Sequence, residues 1–430
     1  MKLRLCARGP FAWGLLLLHL LVAIPANAQE DTIKVGILHS LSGTMAISES
    51  VLKDTVLMLI ADQNKKGGLL GRKLEPVVVD PASDWDRFAD KTRDLLIKDR
   101  VAVVFGCWSS ASRKSVLPIF EQLDGLLFYP VQYEGEESSR NIFYTGATPN
   151  QQAIPAVQYL MGKEGGGVRR FILLGSDYVY PRTTNRILSA YLSFQGISPQ
   201  DITTIYTPLG YSDWQGIIEK IKGFGSAGKR TAVISTINGD SNTSFYKQLA
   251  AQGLDAGTIP VMAFSVGERE LLSVDPKPLI GHMAAWNYFE SVNSKENEAF
   301  IRMWTDFNGA HDRMTNDPME ATYIGFRMWA QAVAQAGTTA VDAVRQAMYG
   351  QRIKAPDGFE VVMNTNHHLS KPAMIGKINS SGTFNIVWQS KSAIRADAWS
   401  RYIPESAKRT ADWTFPWVCG GCMEPTFKDW

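Results

Sequence analysis

The chain holds 430 residues, 45% of them apolar, with 44 basic against 42 acidic side chains and a formal net charge of +2. That near balance excludes a partner chosen by bulk charge, whether nucleic acid or an anionic membrane surface. The length exceeds what one core usually serves, so two domains are expected.

The first 28 residues read as an address label. Lys2, Arg4 and Arg8 precede an apolar, leucine-rich stretch at 11–24, and Ala26-Asn27-Ala28 offers a small-x-small processing site. The apolar run is too short to span a bilayer, so residues 1–28 are expected to be a secretory signal peptide. The mature chain would start at Gln29 as a soluble periplasmic protein, exported across a bacterial inner membrane. Without the signal, 41 basic residues face 42 acidic ones, a net charge of −1. Cys6 lies ahead of the apolar run, away from the processing site, so no lipid attachment is expected there.

From Thr32 the pattern alternates strand and helix. Strands are expected at Ile33–Leu38, 75–79, 101–105, 125–128 and Ile142–Tyr144. Helices follow after Ser42-Gly43-Thr44, over 84–97 with Asp84 as N-cap, from near Ser112, and over 149–161. A second series of strands comes at 171–174, 202–206, 232–235, 261–264 and Met283–Trp286. Helical patterns cover 296–307, 318–335 and 340–348, and short antiparallel strands are expected at 359–363, 373–378 and 384–388. Repeated strand–helix units in two series mean α/β architecture: two doubly wound parallel-sheet lobes.

Catalytic machinery is not visible. G-x-x-x-x-G-K-[ST] and G-x-S-x-G are absent, the one G-x-G-x-x-G, Gly223 to Gly228, lies ahead of the 232–235 strand instead of opening a helix after a strand, and no His/carboxylate cluster has metal spacing. No cofactor or metal is therefore expected. His39 follows the first strand and could face a crevice; His367 and His368 are adjacent and point apart on a strand. Cys419-Gly-Gly-Cys422 admits a redox pair, half a zinc site or a local disulfide. In an exported chain the disulfide is the expected state. Cys107 reads as a buried small hydrophobe without chemistry.

The informative stretches lie at strand ends. Phe105-Gly106-Cys107-Trp108-Ser109-Ser110 closes one apolar run and opens a helix. Tyr129-Pro130-Val131-Gln132-Tyr133-Glu134 closes the next. Ligands of open parallel sheets sit beyond the strand carboxyl ends, where helix N-termini offer free N–H groups. Gly175-Ser176-Asp177-Tyr178, Asn238-Gly239-Asp240-Ser241-Asn242 and Ser265-Val266-Gly267-Glu268 end strands of the second series. Hydroxyl donors gather on the first series, carboxylate and amide acceptors on the second. Asp240 and Asn242 read equally well as helix caps.

These residues carry a resemblance. Val35 to Ala46, Cys107 to Lys114, Leu127 to Gly135, Gly175 to Pro181, Asn238 to Asn242 and Asn366-His367-His368 are similar to periplasmic solute-binding proteins of type I architecture. Within the leucine/isoleucine/valine-binding group, the chain resembles the urea-type receptors of ABC transporters, and shares several positions with a short-amide sensor. The resemblance runs from about Thr32 to about Ile403; the tail at 405–430 lies outside it. It implies two lobes joined by three crossings near 145, 285 and 357. Lobe 1 would take 29–145 and 286–356, and lobe 2 would take 146–285 and 357–404. Trp108, Ser109, Ser110, Tyr129, Val131 and Tyr133 would line one wall of the cleft, and Tyr178, Asp240, Ser265 and Glu268 the other. Ser109 and Ser110 match the serine turn that holds a ligand's polar end in relatives. Trp108 stands where amino-acid receptors carry a smaller residue.

Urea fits that description: it is flat and uncharged, with one acceptor and four N–H donors. Trp108 and Tyr129 would give faces, Ser110 and backbone N–H groups donors, and Asp240 or Glu268 with Tyr133 acceptors. The implied partners are a small neutral ligand, urea or a short amide, and an inner-membrane ABC permease, with no nucleic acid. A branched-chain amino acid receptor, another amide receptor or sensor, or a secreted amidase are the alternatives. An amidase would need a base beside a hydroxyl nucleophile, and His39 is the suggestive histidine.

Overall fold

The computed structural model describes residues 32–272, 274–309 and 314–403. The signal peptide, Gln29, the 405–430 tail and the Cys419–Cys422 pair lie outside the described residues.

The first sheet is built from β1 (Ile33–Leu38), β2 (Leu74–Val79), β3 (Val103–Gly106), β4 (Leu127–Tyr129) and β5 (Ile142–Tyr144). Its order is β2-β1-β3-β4-β5, and every pairing is parallel. Between these strands run α1 (Ala46–Lys65), α2 (Trp85–Arg93) and α3 (Ser110–Gln122). Asp84 caps α2 as its sequence position suggests, accepting from the N–H groups of Asp86 and Arg87. The helix expected to continue to 97 instead widens into a π turn at Asp94–Lys98.

The second series follows as α4 (Ala153–Met161), β6 (Arg170–Ser176), α5 (Val179–Phe194), β7 (Ile202–Thr207), α6 (Gln215–Gly225), β8 (Thr231–Thr236), α7 (Ser241–Ala251), β9 (Val261–Ala263) and β10 (Met283–Trp286). The chain then returns through α8 (Lys295–Asn308), α9 (Asp317–Ala336) and α10 (Val341–Met348). The small sheet β11 (Arg352–Lys354), β12 (Glu360–Met363) and β13 (Leu369–Ser370) follows, and β14 (Met374–Ile378) and β15 (Phe384–Gln389) complete the second sheet. That sheet reads β15-β14-β10-β9-β8-β6-β7, parallel from β6 to β10 and antiparallel at β14 and β15.

Side-chain alternation explains why helices cover both faces. Ile172 and Leu174 of β6 pack with Ile218, Phe245 and Leu249, whereas Phe171 and Leu173 pack with Val157, Leu160 and Leu188. A period of two thus buries each strand on both sides. The first sheet shares its core with Phe300, Trp304 and Trp329 of the returning helices, and with Val361, Met363 and Leu369. Those last three residues put β12 and β13 with the first core, and the chain passes to the second sheet after β5, back after β10 and across again between β13 and β14. Asn287 ties the three passages together. Its side-chain amide donates to the carbonyl of Gln151 (3.1 Å) and to that of Pro372 (2.6 Å).

Candidate functional site

The carboxyl ends of β3 and β4 face those of β6, β8 and β9, and the loops leaving them are buried. Trp108, Ser109, Ser110, Tyr129, Val131 and Tyr133 on one side, and Tyr178 and Ser265 on the other, are each at most 4% exposed. Two hydrogen bonds cross between these walls. The Trp108 indole N–H donates to Asn238 Oδ1 (3.4 Å), and Gln132 Nε2 donates to Ser265 Oγ (2.7 Å). Tyr178 lies within electrostatic reach of Tyr129 and Glu134; burial first, then these neighbours, push its hydroxyl pKa far up.

The first wall stands on a buried ionic cluster. Arg113, one turn into α3, donates through Nε to Glu137 (2.8 Å) and through Nη2 to Glu134 (3.1 Å). Lys114 Nζ reaches Glu137 at 2.7 Å. Burial works against the Glu137 charge, but Arg113 and Lys114 outweigh it and hold its pKa at about 2. The two cations and two carboxylates balance, which is what makes their burial tolerable. The Arg113 guanidinium lies 4.6 Å from the ring centre of Tyr129 and 4.5 Å from that of Tyr133. Tyr133 stacks on Tyr144 (5.0 Å), and Tyr144 on His368 (4.4 Å), so the wall leans on the strand end where the first passage begins. Burial lowers the His368 pKa to about 3. With Nδ1 facing the Asn366 carbonyl at 2.6 Å, its Nε2 is left to accept from the Tyr133 hydroxyl.

This wiring changes several expected roles. Ser110 was the expected donor to a guest oxygen. Its hydroxyl instead donates to Glu134 Oε2 (2.5 Å) and accepts from Arg113 Nη1 (3.0 Å), because the carboxylate is the stronger acceptor. Tyr133, expected as an acceptor, turns its hydroxyl to His368. Asp240 begins α7 without a side-chain capping bond and is exposed; only its N–H crosses the cleft, to the Thr44 carbonyl (3.3 Å). Gly239 beside it has φ +67°, and a Cβ there would lie 2.7 Å from the same carbonyl. Asn242, the other capping candidate, donates to the Ile237 carbonyl (2.9 Å). Glu268 is buried but accepts from the Glu290 N–H (3.0 Å), and burial raises its pKa to about 8. His39 sits beside Glu49 (3.2 Å), with a pKa lowered by burial to about 3.

Polar atoms of the opposed walls that are buried without a hydrogen-bond partner include Ser109 Oγ, Tyr129 OH, Gln132 Oε1 and Tyr180 OH, with Ser241 Oγ and Asn242 Oδ1 in the loop and helix start after β8. Ser109 holds the N-cap position of α3 with extended backbone (φ −114°, ψ −169°), yet its hydroxyl does not cap. Burial raises the pKa values of Tyr129 and Tyr180, keeping both as neutral hydroxyls. Glu134, Gln132, Asn238 and Tyr180 escaped the sequence reading, although the first three belong to the strand-end stretches singled out there. Their signal would have been Arg113, a cation inside a helix face that is otherwise buried. A cavity of about 140 Å³ borders Glu134 as well, lined also by Pro149, Ile154, Asp397 and Tyr402. Among the described residues no group of three His, Cys, Asp or Glu is placed to hold a metal, and no helix is long and apolar enough to cross a membrane.

The family profile described as a periplasmic binding protein domain matches residues 33–405. The Leu/Ile/Val-binding protein homolog 6 of Brucella suis biovar 1 (strain 1330) is 25% identical over 282 residues, covering 64% of this chain and 69% of that protein. A limonene hydroxylase of Geobacillus stearothermophilus is 29% identical over 136 residues. That match covers 31% of this chain and 25% of the hydroxylase, so the chain spans about a quarter of this relative's length. Among solved structures, the solute-binding protein of an ABC transporter from Rhodopseudomonas palustris HaA2, in complex with p-hydroxybenzoic acid, superposes with a TM-score of 0.74. It has 20% identity and covers 86% of this chain and 99% of the other, a likeness of fold.

Proposed function

The chain belongs to the periplasmic binding protein domain family, and from that premise we propose that it is a periplasmic receptor that closes two lobes on urea or a short amide and hands it to an inner-membrane ABC permease. The lobes would be β1–β5 with the segment from 288 to 370, and β6–β10 with β14 and β15. The supporting observation is the set of buried polar atoms without a protein partner at Ser109, Tyr129, Gln132 and Tyr180, three hydroxyls and one amide oxygen drawn from the two opposed walls. Buried polar groups are rarely left unpaired, and a small polar guest would satisfy them. Charge argues for a neutral one. Arg113 is held by Glu134 and Glu137, so neither an amino acid nor a benzoate finds a spare cation there. Trp108 supplies the flat face beside those atoms. Binding rather than hydrolysis is favoured because His39 bonds a carboxylate and not a hydroxyl.

Calorimetry with urea, acetamide, formamide, leucine and p-hydroxybenzoate tests the reading. One site per chain for urea or a short amide is expected. Heat from leucine or p-hydroxybenzoate, with none from the amides, would overturn it.

A further inference from the structure

The geometry points to Glu134 as the residue that sets ligand class in this cleft, accepting N–H groups of the guest and repelling any guest that carries a carboxylate. The inference rests on the receptor reading above and adds to it a residue and a rule of exclusion.

Glu134 has a fully buried side chain, and each of its oxygens keeps capacity beyond the bonds it makes. Oε2 accepts from Ser110 Oγ and Oε1 from Arg113 Nη2, whereas an ionised carboxylate has about four acceptor positions. Both of its partners belong to the first wall: Ser110 opens α3 beside Ser109, and the Arg113 guanidinium lies 4.6 Å from the ring centre of Tyr129. A buried, ionised acceptor amid neutral hydroxyls selects in two ways. It favours a guest with N–H donors, because hydrogen bonds to a charged acceptor are roughly twice as strong as neutral ones. It disfavours an anion, because Arg113 and Lys114 are already balanced by Glu134 and Glu137. The hydroxyls of Ser109, Tyr129 and Tyr180 remain for the guest's oxygen.

Acetamide and acetate form the diagnostic pair, since they share shape and differ in charge and in N–H donors. The wild-type protein is expected to bind acetamide and to give no measurable response to acetate. Glu134→Gln should weaken acetamide at least tenfold and bring acetate into the measurable range, with Arg113 still held by Glu137. Unchanged acetamide affinity with acetate still unbound, in a variant that keeps its thermal midpoint, would overturn the inference and leave the receptor reading intact. Wild-type protein that prefers acetate or leucine would overturn both. Should Glu134→Gln not fold, Glu134→Asp decides: the retracted carboxylate should weaken acetamide while acetate stays excluded. Undiminished acetamide binding in that variant would remove Glu134 from the site.

Discussion

Single side chains in this protein are defined by what is left over after their neighbours are paired. Trp108 is 4% exposed, and one polar bond, to Asn238, holds its ring between the walls. A core tryptophan and a ligand platform look alike by burial, so the distinction must come from what its loss does. Replacing Trp108 by Ala removes a flat face from the guest. Losing the burial of one large apolar surface is worth about 1.5–3 kcal/mol, or roughly tenfold to a hundredfold in affinity. Isothermal titration with the amide the wild type binds should show that loss alongside a modest fall in thermal midpoint. A collapsed midpoint with unchanged affinity would make Trp108 core. Trp108, Ser109 and Tyr129 were legible because aromatics and hydroxyls after an apolar strand are rarely accidental. Glu134 was not. A glutamate after a tyrosine reads as solvated until Arg113, 21 residues earlier, is seen to bury it.

Strands and helices were more legible than the loops that carry the chemistry, since the alternation of β6 and the cap at Asp84 are local facts. The π turn at 94–98 and the two-residue strand β13 depend on tertiary pairing and leave no periodic trace. The loop after β9 shows the same divide: Glu268 suggested a ligand acceptor by position, but the fold uses it to fasten this loop to the segment after β10, at the Glu290 N–H. Burial raises its pKa from 4.5 to about 8, so the folded state keeps a proton that the unfolded chain releases. Stability from this group is therefore fully present below about pH 4.5 and declines as pH rises toward 8. Glu268→Gln retains an oxygen for the Glu290 N–H and cannot ionise. The drop in thermal midpoint between pH 5 and pH 8 should be smaller in the variant than in the wild type. An equal drop would mean that Glu268 is already ionised in the folded protein.

Across the whole molecule, the hydrogen bonds that join the two lobes are not confined to the candidate site. Away from the site, Ser48 Oγ donates to Glu270 (2.9 Å), Arg269 Nε to the Ile47 carbonyl (2.8 Å), and the Asp240 N–H to Thr44. Each bond joins one lobe to the other, while Asn287 ties together the passages between them. On the receptor reading, closure is an equilibrium that a ligand shifts by its differential affinity for the closed form. Bonds at the rim set where that equilibrium starts. Ser48→Ala deletes this bond and leaves Glu270 with the Gly267 N–H (3.0 Å) within its own lobe, so the open form should stay folded. A lost bond to a charged acceptor costs about 1.5–3 kcal/mol, most of it charged to the closed state. Apparent affinity should fall by about tenfold or more, and small-angle scattering should show ligand-driven compaction only at higher ligand concentration. Compaction at the wild-type concentration would mean that the Trp108–Asn238 and Gln132–Ser265 bonds, with the ligand between them, close the cleft without help from the rim.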